Sequence, residues 1–319
     1  TADGSANQVL KTDGSGALSF ASVATSVNGL SDALVEDTGS MYIGNDPSST
    51  TDGANYNLAV GATALDAITT GDYNTAIGFS ALSANTTGHN NTASGFDALY
   101  TNDTGTRNTA NGFRALYLNT SGGYNSAFGA IALRNNTTGS RNLAIGYGAY
   151  DAADTESDNL AIGYDALGGS IDGGEYNVAI GNYAMDANTE GDYNTAVGYS
   201  SLTDNTTGAA NVAYGNQSLF KNTTGSRNVA IGYQSLYQNT EGSHNTALGY
   251  NSLTNTTGSS NTALGNVALT ENTSGASNVA IGMAALRNNT TASYNTAIGR
   301  LALEDANRTA DTDGYNVGL

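Results

Sequence analysis

Few residues in this chain have the type and spacing that chemistry requires. The only histidines, His89 and His244, each stand just before or near a recurring asparagine. A Ser/His/Asp set requires a base oriented by a third group, and no such grouping is visible, so both histidines read as solvated loop residues. Asp151, Asp154, Glu156 and Asp158 cluster in one stretch. Carboxylates that cleave a glycan must flank the scissile bond, so this cluster reads as a solvated acidic loop. Asp311-Thr312-Asp313-Gly314 alternates carboxylates before a glycine, as hard-cation loops do, but it is short and lacks the distal Glu. It reads as a turn. The absence of cysteine removes thiolate nucleophiles, thiolate metal sites and disulfides. The expectation is a protein that is not an enzyme, with no catalytic, metal or cofactor-binding residues.

The aromatic residues are more ordered. Phe79, Phe96, Phe113, Tyr147, Tyr164, Tyr199, Tyr233 and Tyr250 directly follow a recurring glycine, and Tyr56, Tyr73, Tyr124, Tyr176, Tyr193 and Tyr294 directly precede a recurring asparagine. Stacked rings can pack coils or subunits together, or they can bind sugars. Packing is the leading expectation, and Tyr147, Tyr164, Tyr199, Tyr233 and Tyr250 are the candidate glycan contacts. Frequent Asn-x-Thr/Ser triplets match glycosylation acceptors, but Asn, Thr and Gly also suit a tight turn, and turn chemistry is the reading kept.

The element that positions these residues is a repeat. Asn-x-Ala-x-Gly, then three residues, then a large apolar residue recurs fifteen times, from Asn57 to Asn295. The spacing is 17 residues, apart from 18 between Asn159 and Asn177 and 16 between Asn245 and Asn261. Ser40-Met41-Tyr42-Ile43-Gly44 falls one period earlier and reads as a degenerate first coil. Period-two alternation along Asn74-Thr75-Ala76-Ile77-Gly78 puts small residues on one face and larger ones on the other, as in a strand. Two helices and a turn need about 33 residues, so the unit is too short for a helical repeat. It predicts one turn of a β-solenoid, in which stacked coils share one core. Asn74, Asn91, Asn108, Asn142 and Asn228 are expected to form a side-chain amide ladder, with Gly78, Gly146 and Gly232 at close backbone approaches. The second half of the repeat, Asn-Thr-Thr-Gly, holds both length changes. It is expected to be a surface loop whose glycine supplies a positive φ. Fifteen or sixteen coils stacked about 4.8 Å apart predict a rod of roughly 70–80 Å.

Charge narrows the partners. The formal net charge is −18, which disfavours nucleic acid, whose phosphates need clustered Lys and Arg, and an anionic membrane surface for the same reason. No apolar run of about 18 residues suggests membrane insertion. Thr1 in place of Met points to a processed chain or a fragment.

Asn-Thr-Ala-Ile-Gly-Phe-Ser-Ala-Leu (74–82) and Asn-Val-Ala-Ile-Gly-Tyr-Gln-Ser-Leu (228–236) resemble phage tail-fibre shaft repeats. Asn-Val-Ala-Ile-Gly (278–282) is similar to the β-roll head repeats of trimeric autotransporter adhesins, although those repeats are shorter than 17. The opening Ala6-Asn7-Gln8-Val9-Leu10-Lys11-Thr12-Asp13-Gly14-Ser15-Gly16 resembles a segment found upstream of tail-fibre shafts. The resemblance spans about 57–303 and implies trimers, extracellular display on a virion or cell surface, and host attachment. Such fibres often carry a C-terminal self-cleaving chaperone domain, which is not recognised here, so the chain is read as a mature product or a truncation.

The sequence therefore predicts an all-β β-solenoid (β-roll) of about fifteen 17-residue coils. A connector spans 1–39, the shaft 40–303 and an irregular exit 304–319. The first and last of these lack the period. A thin coil leaves one strand face uncovered, and three chains around an axis would cover it. Ile77, Ile145, Ile162, Ile180, Ile231, Ile281 and Ile298 are the expected subunit seam of a homotrimer. The expected role is the structural shaft of a trimeric extracellular fibre used in attachment. The alternatives are a glycan-binding adhesin module, for a cell-surface glycan, or a subunit of a filament polymerised end to end.

Overall fold

A computed structural model describes residues 8–12, 18–22, 33–35, 39–44, 53–169, 173–305 and 315–319. Asp311-Thr312-Asp313-Gly314 lies outside them. β1 (Gln8–Thr12) and β2 (Leu18–Ser22) form an antiparallel pair with Gln8 opposite Ser22. β3 (Ala33–Val35) lies antiparallel on β4 (Met41–Ile43). From β4 onward every pairing is parallel and joins consecutive strands: β5 (Leu58–Val60), then β6 to β18 at the same three positions of the following coils (Thr75–Ile77 to Val279–Ile281), β19 (Thr296–Ile298) and β20 (Val317–Gly318). Seventeen parallel strands thus make a β-solenoid of about fifteen turns, with no helix among the described residues. β3 pairs only with β4 and β20 only with β19, so the row is an open stack rather than a closed barrel.

Each coil carries one three-residue strand because alternation places its alanine inward. Ala76, Ala144 and Ala230 are fully buried, while the residues on either side point outward. Behind that alanine lie the buried eighth and ninth positions, such as Ala81 and Leu82. Leu82 holds φ near 51°, and the ninth-place residue is left-handed in every coil from Leu65 to Leu303. Left-handed backbone costs an L-residue about 1–2 kcal/mol. Burial of the leucine column offsets that cost by an amount of the same order, about 1.5–3 kcal/mol per side chain. The motif glycine is obligatory on two counts: Gly78 has φ 133°, and a Cβ there would sit 2.5 Å from the Gly95 carbonyl oxygen one coil up.

The Asn-Thr-Thr-Gly half departs from expectation. It is a second ladder, not a loop: Asn85, Asn102 and Asn119 are fully buried. The amides of Thr86, Thr87 and Gly88 all donate to the Asp103 carbonyl, at 3.1, 3.3 and 3.2 Å. Nor does its glycine supply a positive φ, since Gly88 and Gly105 are outside that region. Glycine is needed there for space. A Cβ on Gly105 would come within 2.6 Å of the Gly122 carbonyl oxygen and 2.7 Å of Asn119 Nδ2.

Both ends of the described stack keep its register. Ser40 stands in the asparagine place, and its Oγ accepts from the Asn57 amide at 3.0 Å. Within the segment expected to be an irregular exit, the last described residues stack on the shaft: Val317 pairs with Thr296, and Asn316 Nδ2 donates to Asn295 Oδ1 at 2.9 Å. Gly318 replaces the motif alanine because Leu303 fills that space; a Cβ there would sit 2.6 Å from Leu303 Cγ.

Candidate functional site

Two asparagine columns hold the coils together, and they work differently. In the motif column, Asn74 Oδ1 accepts from the Asn91 backbone amide at 2.9 Å, while Asn74 Nδ2 donates to the Gly88 carbonyl of its own coil at 2.9 Å. Asn91, Asn108, Asn142 and Asn228 repeat this arrangement. The expected ladder residues are thus stacked, but they link side chain to backbone. The amide-to-amide ladder is the second column, at the head of Asn-Thr-Thr-Gly. Asn102 Nδ2 donates to Asn85 Oδ1 at 2.8 Å and Asn119 Nδ2 to Asn102 Oδ1 at 2.7 Å. Sequence reasoning missed this column by assigning that half to the surface. The signal was available, because Asn recurs there with the same period and buried amides are retained only where paired.

The second column is interrupted. Ala153 follows Asn136 and Thr256 follows Asn239, one period on. Asn136 Oδ1 and Asn239 Oδ1 are consequently buried acceptors without a donor. At the first interruption two substitutions compensate. Tyr150 replaces the ninth-place leucine, is fully buried, and its hydroxyl accepts from Asn159 Nδ2 at 2.5 Å. Burial pushes the Tyr150 phenol well above its usual range. Glu156, expected in a solvated loop, is buried. Its Oε2 accepts from the Asp154 and Thr155 amides at 3.0 and 3.2 Å, and its Oε1 from the Gly173 amide at 3.3 Å. In regular coils the equivalent amides, such as those of Thr86 and Thr87, donate to a backbone carbonyl of the next coil. Here the Glu156 carboxylate accepts from them. Asp158 is held by Arg141 through two bonds of 2.6 and 2.7 Å, which lowers its pKa.

The other candidates are dispersed along the rod. His89 Nδ1 accepts from the Asp72 amide at 2.9 Å, and His244 lies 3.3 Å from Arg227 Nη1. Among the described residues no group of three His, Cys, Asp or Glu could hold a metal ion, and no helix is long and apolar enough to cross a membrane.

Two outer surfaces remain. The fourth-position residues point out of the sheet: Ile77, Ile145, Ile231 and Ile298 are 37–43% exposed, and Ile162, Ile180 and Ile281 are half-buried. Past the glycine bend, Tyr147, Tyr164, Tyr199, Tyr233 and Tyr250 are 42–52% exposed. Tyr147 stacks on Tyr164 at 5.4 Å and Tyr233 on Tyr250 at 5.3 Å. Tyr183, on the neighbouring position, bridges Tyr164 and Tyr199 edge-on at 5.4 and 6.0 Å. Comparison with known proteins finds no matching family model and no matching curated protein.

Proposed function

We propose that this chain is the structural shaft of a trimeric extracellular fibre, on a virion or cell surface, that serves attachment. The observation that carries the reading is the outward row of fourth-position residues. The coil's own core is completed by Ala, Leu and Asn without them, so a single chain leaves an apolar stripe along the rod, broken at Ser94 and Asn111. Such stripes mark association surfaces, and a cyclic assembly covers the same face on every copy. The resemblance of the repeats to tail-fibre shafts supports the same reading. Sedimentation of the folded chain tests it: the expected species is a trimer, and Ile231→Asp together with Ile145→Asp should yield monomers with unchanged circular dichroism. A stable wild-type monomer overturns it.

A second reading, contact with a cell-surface glycan through the side of the rod, is favoured by the half-exposed tyrosines after the bend. End-to-end polymerisation has less support. β3 lies antiparallel on β4, so an added copy would not continue the parallel ladder at that end.

A further inference from the structure

Several aromatic residues on this rod receive a cation from the chain itself. Arg107 lies over Tyr124 at 5.1 Å, Arg114 over Phe113 and Tyr117 at 5.0 and 5.2 Å, and Lys221 over Phe220 at 4.7 Å. The column formed by Tyr147, Tyr164, Tyr183 and Tyr199 has none. No Lys or Arg lies between Arg141 and Lys221, a stretch that holds eleven Asp and Glu.

Carboxylates stand beside these rings instead. Asp165 follows Tyr164, and its charge pushes the Tyr164 phenol up. Asp165 and Asp186 flank two glycines, Gly148 and Gly168, at places where most other coils carry a side chain. A Cβ on Gly168 would sit 3.2 Å from Asp186 Oδ1, and one on Gly148 would run into the Asp165 carboxylate. The glycines leave room for these two carboxylates. Among the described residues neither Asp165 nor Asp186 forms a salt bridge. The Asp186 carboxyl is pushed up first by burial and then by the nearby Asp165, Asp151 and Asp204.

We propose that this face binds a linear glycan bearing free amino groups, with sugar rings against Tyr147, Tyr164 and Tyr199 and ammonium groups against Asp165 and Asp186. The proposal rests on the second reading above, that the side of the rod contacts glycans. Tyr147 and Tyr164 cover each other's faces by stacking, so what they offer outward is ring edge and hydroxyl, for apolar contact with a sugar and hydrogen bonds to its hydroxyls. A carboxylate adds a charge-assisted hydrogen bond to an ammonium. A polymer fits better than a single sugar because the rings repeat along the stack, with 5.4 Å between Tyr147 and Tyr164. A neutral glycan would leave the carboxylates unused.

The test is calorimetric titration of the full chain with a β-1,4-linked glucosamine oligomer, its N-acetylated counterpart and an oligolysine of matched charge. The glucosamine oligomer should bind, with the N-acetylated one weaker by about tenfold or more, the loss of one good ammonium–carboxylate contact. Tyr164→Ala and Asp165→Asn should each weaken it by about tenfold, and Phe96→Ala, in a separate column, should leave it unchanged. Asp165→Asn is nearly isosteric and keeps the test decisive if Tyr164→Ala fails to fold. Equal binding of both glycans overturns the ammonium assignment and leaves the glycan reading standing. Equal binding of oligolysine with no effect of Tyr164→Ala overturns the proposal in favour of a general acidic surface. Binding of neither oligomer overturns the proposal; if a broad glycan array is also blank, the second reading falls with it.

Discussion

Interior and terminal members of the second asparagine column should differ in cost, and the difference follows from bond accounting. Asn119→Ala removes three bonds: Nδ2 to Asn102 Oδ1 at 2.7 Å, Nδ2 to the Gly122 carbonyl at 3.0 Å, and the bond received from Asn136 Nδ2 at 2.7 Å. It also strands Asn102 Oδ1 inside the core. The Gly122 carbonyl keeps a donor in Asn108 Nδ2 at 2.8 Å. Asn136→Ala removes only two bonds, to Asn119 Oδ1 at 2.7 Å and to the Gly139 carbonyl at 3.1 Å. It strands Asn119 Oδ1, but it deletes Asn136 Oδ1, which already lacks a donor, so the number of stranded acceptors is unchanged. The cavity term is nearly the same for the two. The excess cost of Asn119→Ala is therefore one net hydrogen bond, about 0.5–1.5 kcal/mol, plus one stranded buried acceptor, about 1–3 kcal/mol. The assay is urea unfolding at fixed protein concentration, with native-state hydrogen exchange to locate the opening, because long repeat arrays need not unfold in two states. Asn119→Ala should be the more destabilising by about 1.5 kcal/mol or more. Equal midpoints, or a costlier Asn136→Ala, would show that the columns are not governed by unsatisfied amide groups.

Three further outcomes follow from the same geometry. Glu156→Ala removes the carboxylate that accepts from the Asp154, Thr155 and Gly173 amides and should destabilise by about 2–4 kcal/mol, with hydrogen exchange fastest in coils 142–176; unchanged protection there would refute the acceptor role of Glu156. Burial raises the Asp186 and Asp151 carboxyl pKa values, so the folded chain binds those protons more tightly than the unfolded one. Their contribution is full at low pH and is lost as pH rises from the ordinary carboxylate value through the raised one. Asp186→Asn should therefore raise the neutral-pH urea midpoint and flatten its fall above about pH 4; an unchanged pH profile refutes this. Gly78→Ala, at φ 133° and against the Gly95 carbonyl, should cost about 3 kcal/mol or more, read as a lowered melting temperature.

Period and alternation alone determined that this chain is a β-solenoid with one 17-residue repeat per coil. Side chains alternate across a strand, so in the fifteen Asn-x-Ala-x-Gly copies the alanines and the fourth-position isoleucines take opposite faces. Which face is buried, and that each coil carries a single strand, the structure decided. Several features were decided only in three dimensions. Asn-Thr-Thr-Gly has the composition of a turn, and composition does not distinguish an exposed turn from one stacked on its own copies; the distinction lies in the Gly105 approach to Gly122 and the amide chain through Asn102. Glu156 reads as one more surface acid in sequence, but it is buried and accepts from the Asp154, Thr155 and Gly173 amides. Asn316-Val317-Gly318 lies in the stretch that lacks the period, yet it pairs with β19, and Gly318 takes the alanine place because Leu303 occupies the volume a Cβ would need. A repeat records what every coil needs in common. The needs of a single coil arise from which neighbour it meets and what that neighbour lacks, and those depend on contacts one period away in sequence and one strand spacing away in space.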